Sequence, residues 1–306
     1  MKPKALVVGA AGQLGRRLVS SLGGDYEVVA WTRAELDLGD LESIGPKILA
    51  LRPSVVVNAA AYTAVDKAQS EPELARRVNG QAPGLLGQAA RELGIPVVHF
   101  STDYVFSGEK TGPYLETDPT GPLNQYGRTK LEGEQALLAA QPLSLIFRIS
   151  WVYSFDQPCF YNTMRKLLVT KEELKVVADQ IGAPSPAGWL ADQAALVLKL
   201  WGNMAPEQRE AAAGLYHLSP EGQTSWFGFA QEILGSLRLH QEVPCRLSPI
   251  PAQDYPTPAQ RPANSVMHNR RLAMTFGLPR PDWLTLFFVE IAPNLRGARP
   301  SGTKPS

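Results

Sequence analysis

Lys4-Ala5-Leu6-Val7-Val8-Gly9-Ala10-Ala11-Gly12-Gln13-Leu14-Gly15-Arg16-Arg17-Leu18-Val19 decides the reading of the fold. A short apolar run enters a glycine turn, and apolar residues then recur at helical spacing. The pattern is strand, turn, helix. One glycine permits the tight turn, another lets backbone approach a pyrophosphate, and a third lets helix pack on strand. The helix start adds N–H donors and a positive dipole end. Gly9, Gly12, Gln13, Leu14 and Gly15 are therefore candidate phosphate-binding residues. The spacing is GxxGxxG rather than the commoner GxGxxG.

The same rhythm continues outward from this unit. Residues 27–31 read as a second strand, 41–51 as a helix closed by Pro53, and 54–59 as a β-branched run. Such a run suits a strand covered on both faces. Helix is expected over 72–93, strand over 95–102, helix over 127–140 and strand over 143–149. Repeated alternation of this kind predicts an α/β fold, a Rossmann-like doubly wound parallel sheet. The dinucleotide-binding domain is placed at 1–150, with segments near 186–205 and 240–250 returning to it. A smaller α/β substrate-binding domain is placed at 151–295. Helices are expected near 160–170, 188–202 and 225–237, and short strands at 175–177, 215–218 and 245–247. The Gly/Pro/Ser/Lys-rich stretch 296–306 is expected to be a disordered tail.

Composition excludes several classes. Thirty Lys and Arg balance 29 Asp and Glu, so nucleic acid and membrane surfaces are not expected partners. No apolar run reaches the ~18 residues of a membrane span, and the amino terminus lacks a signal-peptide pattern. Cys159 and Cys245 have no metal-ligand spacing, and four scattered histidines make no zinc motif. The expectation is a cytoplasmic protein with free thiols and no metal site. The 26 prolines are uneven, sparse in the first 110 residues and dense after 240.

The chemistry-bearing residues follow the strand ends. Arg33 comes just after the second strand, where it can meet a ribose 2′-phosphate, which favours NADPH with NADH as the alternative. Asp37 can accept from an adenine amino group. Tyr126 and Lys130 lie four apart, on one helix face. A free tyrosine titrates near 10, and a nearby cation lowers that value, so the pair is a candidate proton donor. Thr102 closes a strand at the sheet edge where ligands bind, placed to bond a substrate carbonyl.

These motifs resemble those of the extended short-chain dehydrogenases/reductases, and among them the dTDP-4-dehydrorhamnose reductases. The residues that carry the likeness are Gly12-Gln-Leu-Gly15, Asn58-Ala-Ala-Ala-Tyr-Thr-Ala-Val-Asp-Lys67, Ser101-Thr-Asp-Tyr-Val-Phe-Ser-Gly108 and Tyr114-Leu-Glu-Thr-Asp118. It continues through Pro122-Leu-Asn-Gln-Tyr-Gly-Arg-Thr-Lys130, Arg148-Ile-Ser-Trp-Val-Tyr153, Asp179-Gln-Ile-Gly-Ala-Pro184 and Tyr255-Pro-Thr-Pro-Ala-Gln-Arg-Pro-Ala-Asn-Ser265. The resemblance implies NADPH-dependent reduction of dTDP-4-dehydro-L-rhamnose to dTDP-L-rhamnose, an oxidoreductase step of dTDP-rhamnose biosynthesis. It implies that Tyr126 donates a proton to the 4-keto oxygen, Thr102 polarises that oxygen and Lys130 holds the cofactor and tunes Tyr126. It implies cofactor contacts from Leu38, Asn58, Ala59 and Ala60. Val65, Asp103, Tyr104 and Trp151 are implied to line the sugar site, with Asn162, Arg165 and Arg261 toward the nucleotide sugar.

A dehydratase would need an Asp-Glu pair after the strand-end threonine to eliminate water. Here Asp103 is followed by Tyr104, which favours a reductase. Two other readings stand beside this one. The chain could reduce another 4-keto nucleotide sugar. It could instead be a non-catalytic, NADP-binding regulatory subunit resembling the β subunit of methionine adenosyltransferase. A homodimer is compatible with the resemblance. Gly188 stands where some relatives carry a metal-binding glutamate, which argues against a metal-bridged dimer.

Overall fold

The computed structural model describes residues 1–296 of the 306-residue chain. The expected tail lies outside the described residues, except Arg296, which ends a helix rather than starting the tail. In chain order the first elements are β1 (Lys4–Val8), α1 (Gln13–Leu22), β2 (Glu27–Trp31), α2 (Leu41–Leu51), β3 (Val55–Asn58), α3 (Lys67–Ser70), α4 (Pro72–Ala75), α5 (Ala82–Glu92), β4 (Val97–Thr102), α6 (Gln125–Ala140) and β5 (Ser144–Ile149). Then come β6 (Val152–Tyr153), α7 (Phe160–Thr170), β7 (Glu173–Val177), β8 (Ile181–Gly182), β9 (Ser185–Pro186), α8 (Ala187–Gly202), α9 (Pro206–Ala211) and β10 (Gly214–His217). β11 (Thr224–Ser225), α10 (Trp226–Arg238), β12 (Arg246–Ile250), α11 (Arg270–Phe276) and α12 (Trp283–Arg296) complete the order.

Six parallel strands form the main sheet in the order β10-β5-β4-β3-β1-β2. Alternate residues point to opposite faces, and both faces are apolar. Val7, Val57, Phe100 and Phe147 pack with Leu18 of α1 and with Leu190 and Val197 of α8. Leu6, Val56, Val97 and Ile146 pack under Ile44 and Ile48 of α2, Leu86 of α5 and Leu137 of α6. The strand order reverses between β1 and β3, which opens a crevice at their carboxyl ends. A third cluster unites Met164 and Leu168 of α7, Phe229 and Ile233 of α10, and Trp283 and Phe287 of α12 with Tyr153.

Two expected elements differ in the structure. The 240–250 segment does not return to the main sheet, because β12 pairs in parallel with β7. The edge strand beside β5 is instead β10, at 214–217. Expected helix 72–93 is not one regular helix. A π-helical stretch, Arg76–Gln81, interrupts it between α4 and α5. There Asn79 is turned inward, receiving the Tyr62 N–H at 2.8 Å and donating to the Thr129 hydroxyl at 3.3 Å. Among the described residues no helix is long and apolar enough to cross a membrane.

Two helical glycines separate intrinsic propensity from packing. A Cβ on Gly235, in α10, would meet nothing within 4 Å. A Cβ on Gly133, in α6, would lie 2.0 Å from the carbonyl oxygen of Asn79. Gly235→Ala should therefore stabilise by roughly 0.5–1 kcal/mol, the ordinary helix gain. Gly133→Ala should destabilise by ~1–3 kcal/mol, because the overpacking of a backbone contact outweighs that gain. Urea unfolding of both variants checks the opposite signs.

Candidate active site

A cavity of about 630 Å³ opens at the crevice. Each glycine of the turn has its own job. Gly9 sits at φ +82°, and a Cβ there would lie 2.6 Å from the Ala60 nitrogen. A Cβ on Gly15 would lie 2.1 Å from the Gly9 carbonyl oxygen, so this glycine lets α1 pack on the turn. Gly12 precedes α1 as its N-cap residue, and its N–H donates to Gly9 O at 3.0 Å. Gly9, Gly12, Gln13 and Leu14 line the cavity, and Gly15 stands behind them. The site thus has a cradle that side chains would fill, beside the start of a ten-residue helix. That shape and polarity fit a dinucleotide pyrophosphate.

Thr32, Arg33, Asp37 and Leu38 line one end of the cavity. Arg33 Nε donates to Asp37 Oδ2 at 3.0 Å. The Gly39 N–H and the Arg33 guanidinium hold the Asp37 carboxyl below its usual range. Ala59 and Ala60 line the floor. Asn58 does not reach the cavity wall. It is buried, accepting the Ala60 N–H through Oδ1 and facing His99 through Nδ2.

Thr102, Asp103, Tyr104, Tyr126 and Lys130 converge on the other end. Asn124 caps α6, accepting the Gly127 N–H at 2.8 Å, and sets where Tyr126 enters the helix. Burial pushes the Tyr126 phenol up to about 12, while a hydrogen bond with Thr102 pulls it back part of the way. Burial pushes the Lys130 amino group down to about 8, against the opposing pull of Glu134. Lys130 is 1% exposed and donates to the Phe100 carbonyl at 2.6 Å. Asp103 is raised to about 6 by burial, although Ser265, Thr102 and Ser150 hydroxyls stabilise its anion. Tyr104 is held protonated by burial first and then by Asp103.

Val65 and Trp151 also line the cavity. Trp151 adopts φ +44°, a costly conformation for a bulky residue. Its indole lies flat on Trp226, centroids 3.5 Å apart and planes 4° apart. A Cβ on Gly182 would lie 2.4 Å from the Trp151 ring, so glycine makes room for it. Trp226 lines the cavity too. Sequence reasoning missed it, because its position at the start of α10 carries no local mark of the site.

The remaining expected residues stand off the cavity wall. Arg261 grips Asp66 through Nη2 at 2.9 Å and Nη1 at 3.2 Å. Its charge also bears on the Tyr104 hydroxyl, and Tyr104 lines the site. Asn162 is spent on the carbonyls of Ser154 and Gln157. Arg165 lies over the Tyr161 ring at 5.6 Å. Neither Asn162 nor Arg165 is among the lining residues. Their polar ends are engaged around α7, off this cavity. Among the described residues no group of three or more His, Cys, Asp or Glu could hold a metal.

Comparison with known proteins places this site in a family. The family model described as "RmlD substrate binding domain" matches residues 3–287. A dTDP-4-dehydrorhamnose reductase of Burkholderia thailandensis is 46% identical over 292 residues, 92% of this chain and 95% of that one. A solved dTDP-4-dehydrorhamnose reductase of Clostridium acetobutylicum superposes with a TM-score of 0.86 at 36% identity, over 95% of this chain and 99% of that one. The Bacillus anthracis enzyme of that name, solved in complex with NADP, gives 0.85 at 31% identity, over 95% and 100% of the two chains. With likeness running through glycine turn, strand ends and third cluster alike, the chain belongs to the dTDP-4-dehydrorhamnose reductase family.

Proposed function

We propose that the protein reduces the 4-keto group of dTDP-4-dehydro-L-rhamnose to the alcohol of dTDP-L-rhamnose, using NADPH. The observation that carries this reading is the shared cavity. The glycine cradle and Arg33 form one end, and Thr102 with the buried Tyr126–Lys130 pair forms the other. When bound, NADPH supplies the hydride. Gly9, Gly12, Gln13 and Leu14 hold its pyrophosphate, Arg33 and Asp37 its adenosine end, and Lys130 its nicotinamide ribose. NADH is accepted less well where the Arg33 charge goes unused.

The chain itself supplies the proton and the geometry. Tyr126 and Thr102 bind the keto oxygen, the Thr102 hydroxyl turning to it from Asp103 Oδ1, to which it donates at 2.9 Å, so that charge developing there meets two hydroxyls. The Tyr126 O–H bond breaks as its proton passes to that oxygen, and the Lys130 charge stabilises the phenolate left behind. The high proton affinity of buried Tyr126 suits a donor that must hold its proton until reduction begins. Tyr104, kept protonated, cannot act as the carboxylate a dehydratase needs. Val65, Trp151 and Trp226 wall the sugar, and Arg261 acts by fixing Tyr104. Residues 1–150 chiefly hold the cofactor and 151–295 chiefly cover the substrate. A cytoplasmic setting belongs to the proposal, in keeping with the unpaired thiols of Cys159 and Cys245.

Purified protein should consume NADPH, followed by its near-ultraviolet absorbance, only when a 4-keto nucleotide sugar is present. No turnover with dTDP-4-dehydro-L-rhamnose sinks the proposal, and faster turnover of a different 4-keto sugar reassigns the substrate. Tyr126→Phe should lower kcat by about 10²–10⁴-fold, with NADPH affinity by fluorescence titration nearly unchanged. Trp226→Leu should raise KM for the nucleotide sugar by roughly tenfold while leaving KM for NADPH in place. An equal rise in both would remove Trp226 from the sugar wall.

A further inference from the structure

Beneath the cavity floor lies a buried polar chain that the proposed reaction does not yet use. Asn58 ends β3 and His99 lies in β4, and the two are direct register partners in the sheet. Both are 1% exposed, as is Lys130 above them. The Ala60 N–H donates to Asn58 Oδ1 at 3.1 Å, which fixes the orientation of the amide. Asn58 Nδ2 then faces His99 Nδ1 at 3.1 Å, as a donor. His99 Nδ1 must therefore be the bare, accepting nitrogen. Burial, and after it the Lys130 charge, opposes a second proton on the ring. The one ring proton belongs on Nε2, and Nε2 lies 3.3 Å from Lys130 Nζ.

This arrangement has a definite electrostatic sense. An Nε2–H directed at Nζ favours the amine, which has a lone pair to accept it, over the ammonium, which has none. We propose that His99 is a positioning residue for the reduction: its Nε2–H, oriented by Asn58, anchors the Lys130 amino group and opposes its protonation. The proposal rests on the reading given above for Lys130. Other groups bear on the same nitrogen. Glu134, one turn along α6, favours the ammonium. Its carboxylate is itself bound in two-pronged fashion by Arg148 of β5, at 2.9 and 2.7 Å. Tyr126 lies one turn back on α6, and Asp103 follows β4. His99 is thus the counterweight to Glu134, and Lys130 sits where a modest bias decides its charge near neutral pH.

The consequence is a pH limit that His99 sets. Tyr126 can release its proton to the substrate only while Lys130 carries the charge that stabilises the phenolate. The rate should fall as pH rises through the Lys130 titration, which burial and His99 both bring down. Removing the Nε2–H should move that alkaline limb to higher pH.

Three variants and two readouts test this. His99→Phe removes the donor. His99→Gln keeps an acceptor for Asn58 and a donor for Lys130. Asn58→Asp keeps the acceptor for Ala60 N–H and demands a proton on His99 Nδ1; its nitrogen spectrum reports whether Nε2 is then bare, and its limb is read beside that of His99→Phe because the new carboxylate also favours the ammonium. The pH profile of kcat and the titration of Lys130 in ¹³C-lysine-labelled protein are measured for each. The expected result is a rise of about half a pH unit or more in His99→Phe and Asn58→Asp. His99→Gln should return to the wild-type limb. Nitrogen NMR of the wild-type histidines should show His99 protonated on Nε2 alone. A ring protonated on Nδ1 overturns the proposal. So does a kcat that falls in all three variants with no shift in the Lys130 titration, which is the signature of a merely structural role. If His99→Phe does not fold, His99→Leu takes its place as the variant without a donor. The Lys130 titration and the nitrogen spectra need no turnover, so a failure of the proposed reduction would leave this question separately answerable.

Discussion

Placing the amino group of Lys130 out of water is the constraint around which much of the structure is arranged. A buried ammonium costs several kcal/mol unless partners replace its hydration. Those partners come from two elements, the Phe100 carbonyl from β4 and Glu134 from α6 itself, with His99 as the counterweight at 3.3 Å. Glu134 in turn needs Arg148 from β5, and that pair is only 3–4% exposed. Holding α6 close enough to the sheet for these distances requires small residues along its inner face. Gly127 and Gly133 meet backbone oxygens of Tyr104 and Asn79 at distances no side chain tolerates. The π-helical turn at Arg76–Gln81 follows from the same closeness, since it turns Asn79 inward toward Thr129 of α6.

How far the sequence could be read depends on where each signal is stored. Alternating strands and helices are written in local periodicity, so the parallel sheet and the glycine turn were legible from residues 4–149. The Tyr126–Lys130 pair and Thr102 were legible because spacing on a helix and position at a strand end are local too. Strand partners are not local. Leu215-Tyr216-His217 and Arg246-Leu247-Ser248 are equally short and neither names its partner in its own residues; tertiary packing sends the first to β5 and the second to β7. His99 and Trp226 were missed for the same reason. One is a polar residue inside an apolar strand and the other an aromatic at a helix start. Each gains its meaning from a neighbour far away in the chain.

At the cofactor end the chemistry is a competition rather than a lock. Arg33 is 77% exposed at its side chain and shares its charge with Asp37. An incoming 2′-phosphate must take the guanidinium partly away from that carboxylate, so the gain from the new ion pair is offset by the one it weakens. A ribose hydroxyl makes no such demand and can use the carboxylate as an acceptor. Thr32 does not tilt the balance, because its N–H and hydroxyl are both already given to Glu35 at 2.7 Å. Discrimination between phosphorylated and unphosphorylated cofactor is then expected to be modest, since an exposed ion pair in water is worth little.

The proline-dense carboxyl region closes the same argument from the other side. Residues 255–265 have almost no regular secondary structure, yet they are pinned at every few residues. Asn124 Nδ2 holds the Gln260 carbonyl, Asp66 holds Arg261 and the Ala259 N–H, and Asn264 holds the carbonyls of Lys110 and Gly112. Gly108, at φ +80°, leaves space for Pro262, which a Cβ would meet at 2.6 Å. A segment fixed by single bonds to distant loops gains no cooperative ladder of its own, so its ordering entropy must be small from the start. Proline lowers that entropy by restricting φ in the unfolded chain. The composition that looked merely irregular is what lets Arg261 reach Tyr104, and so lets a loop, rather than a helix or strand, fix one wall of the site.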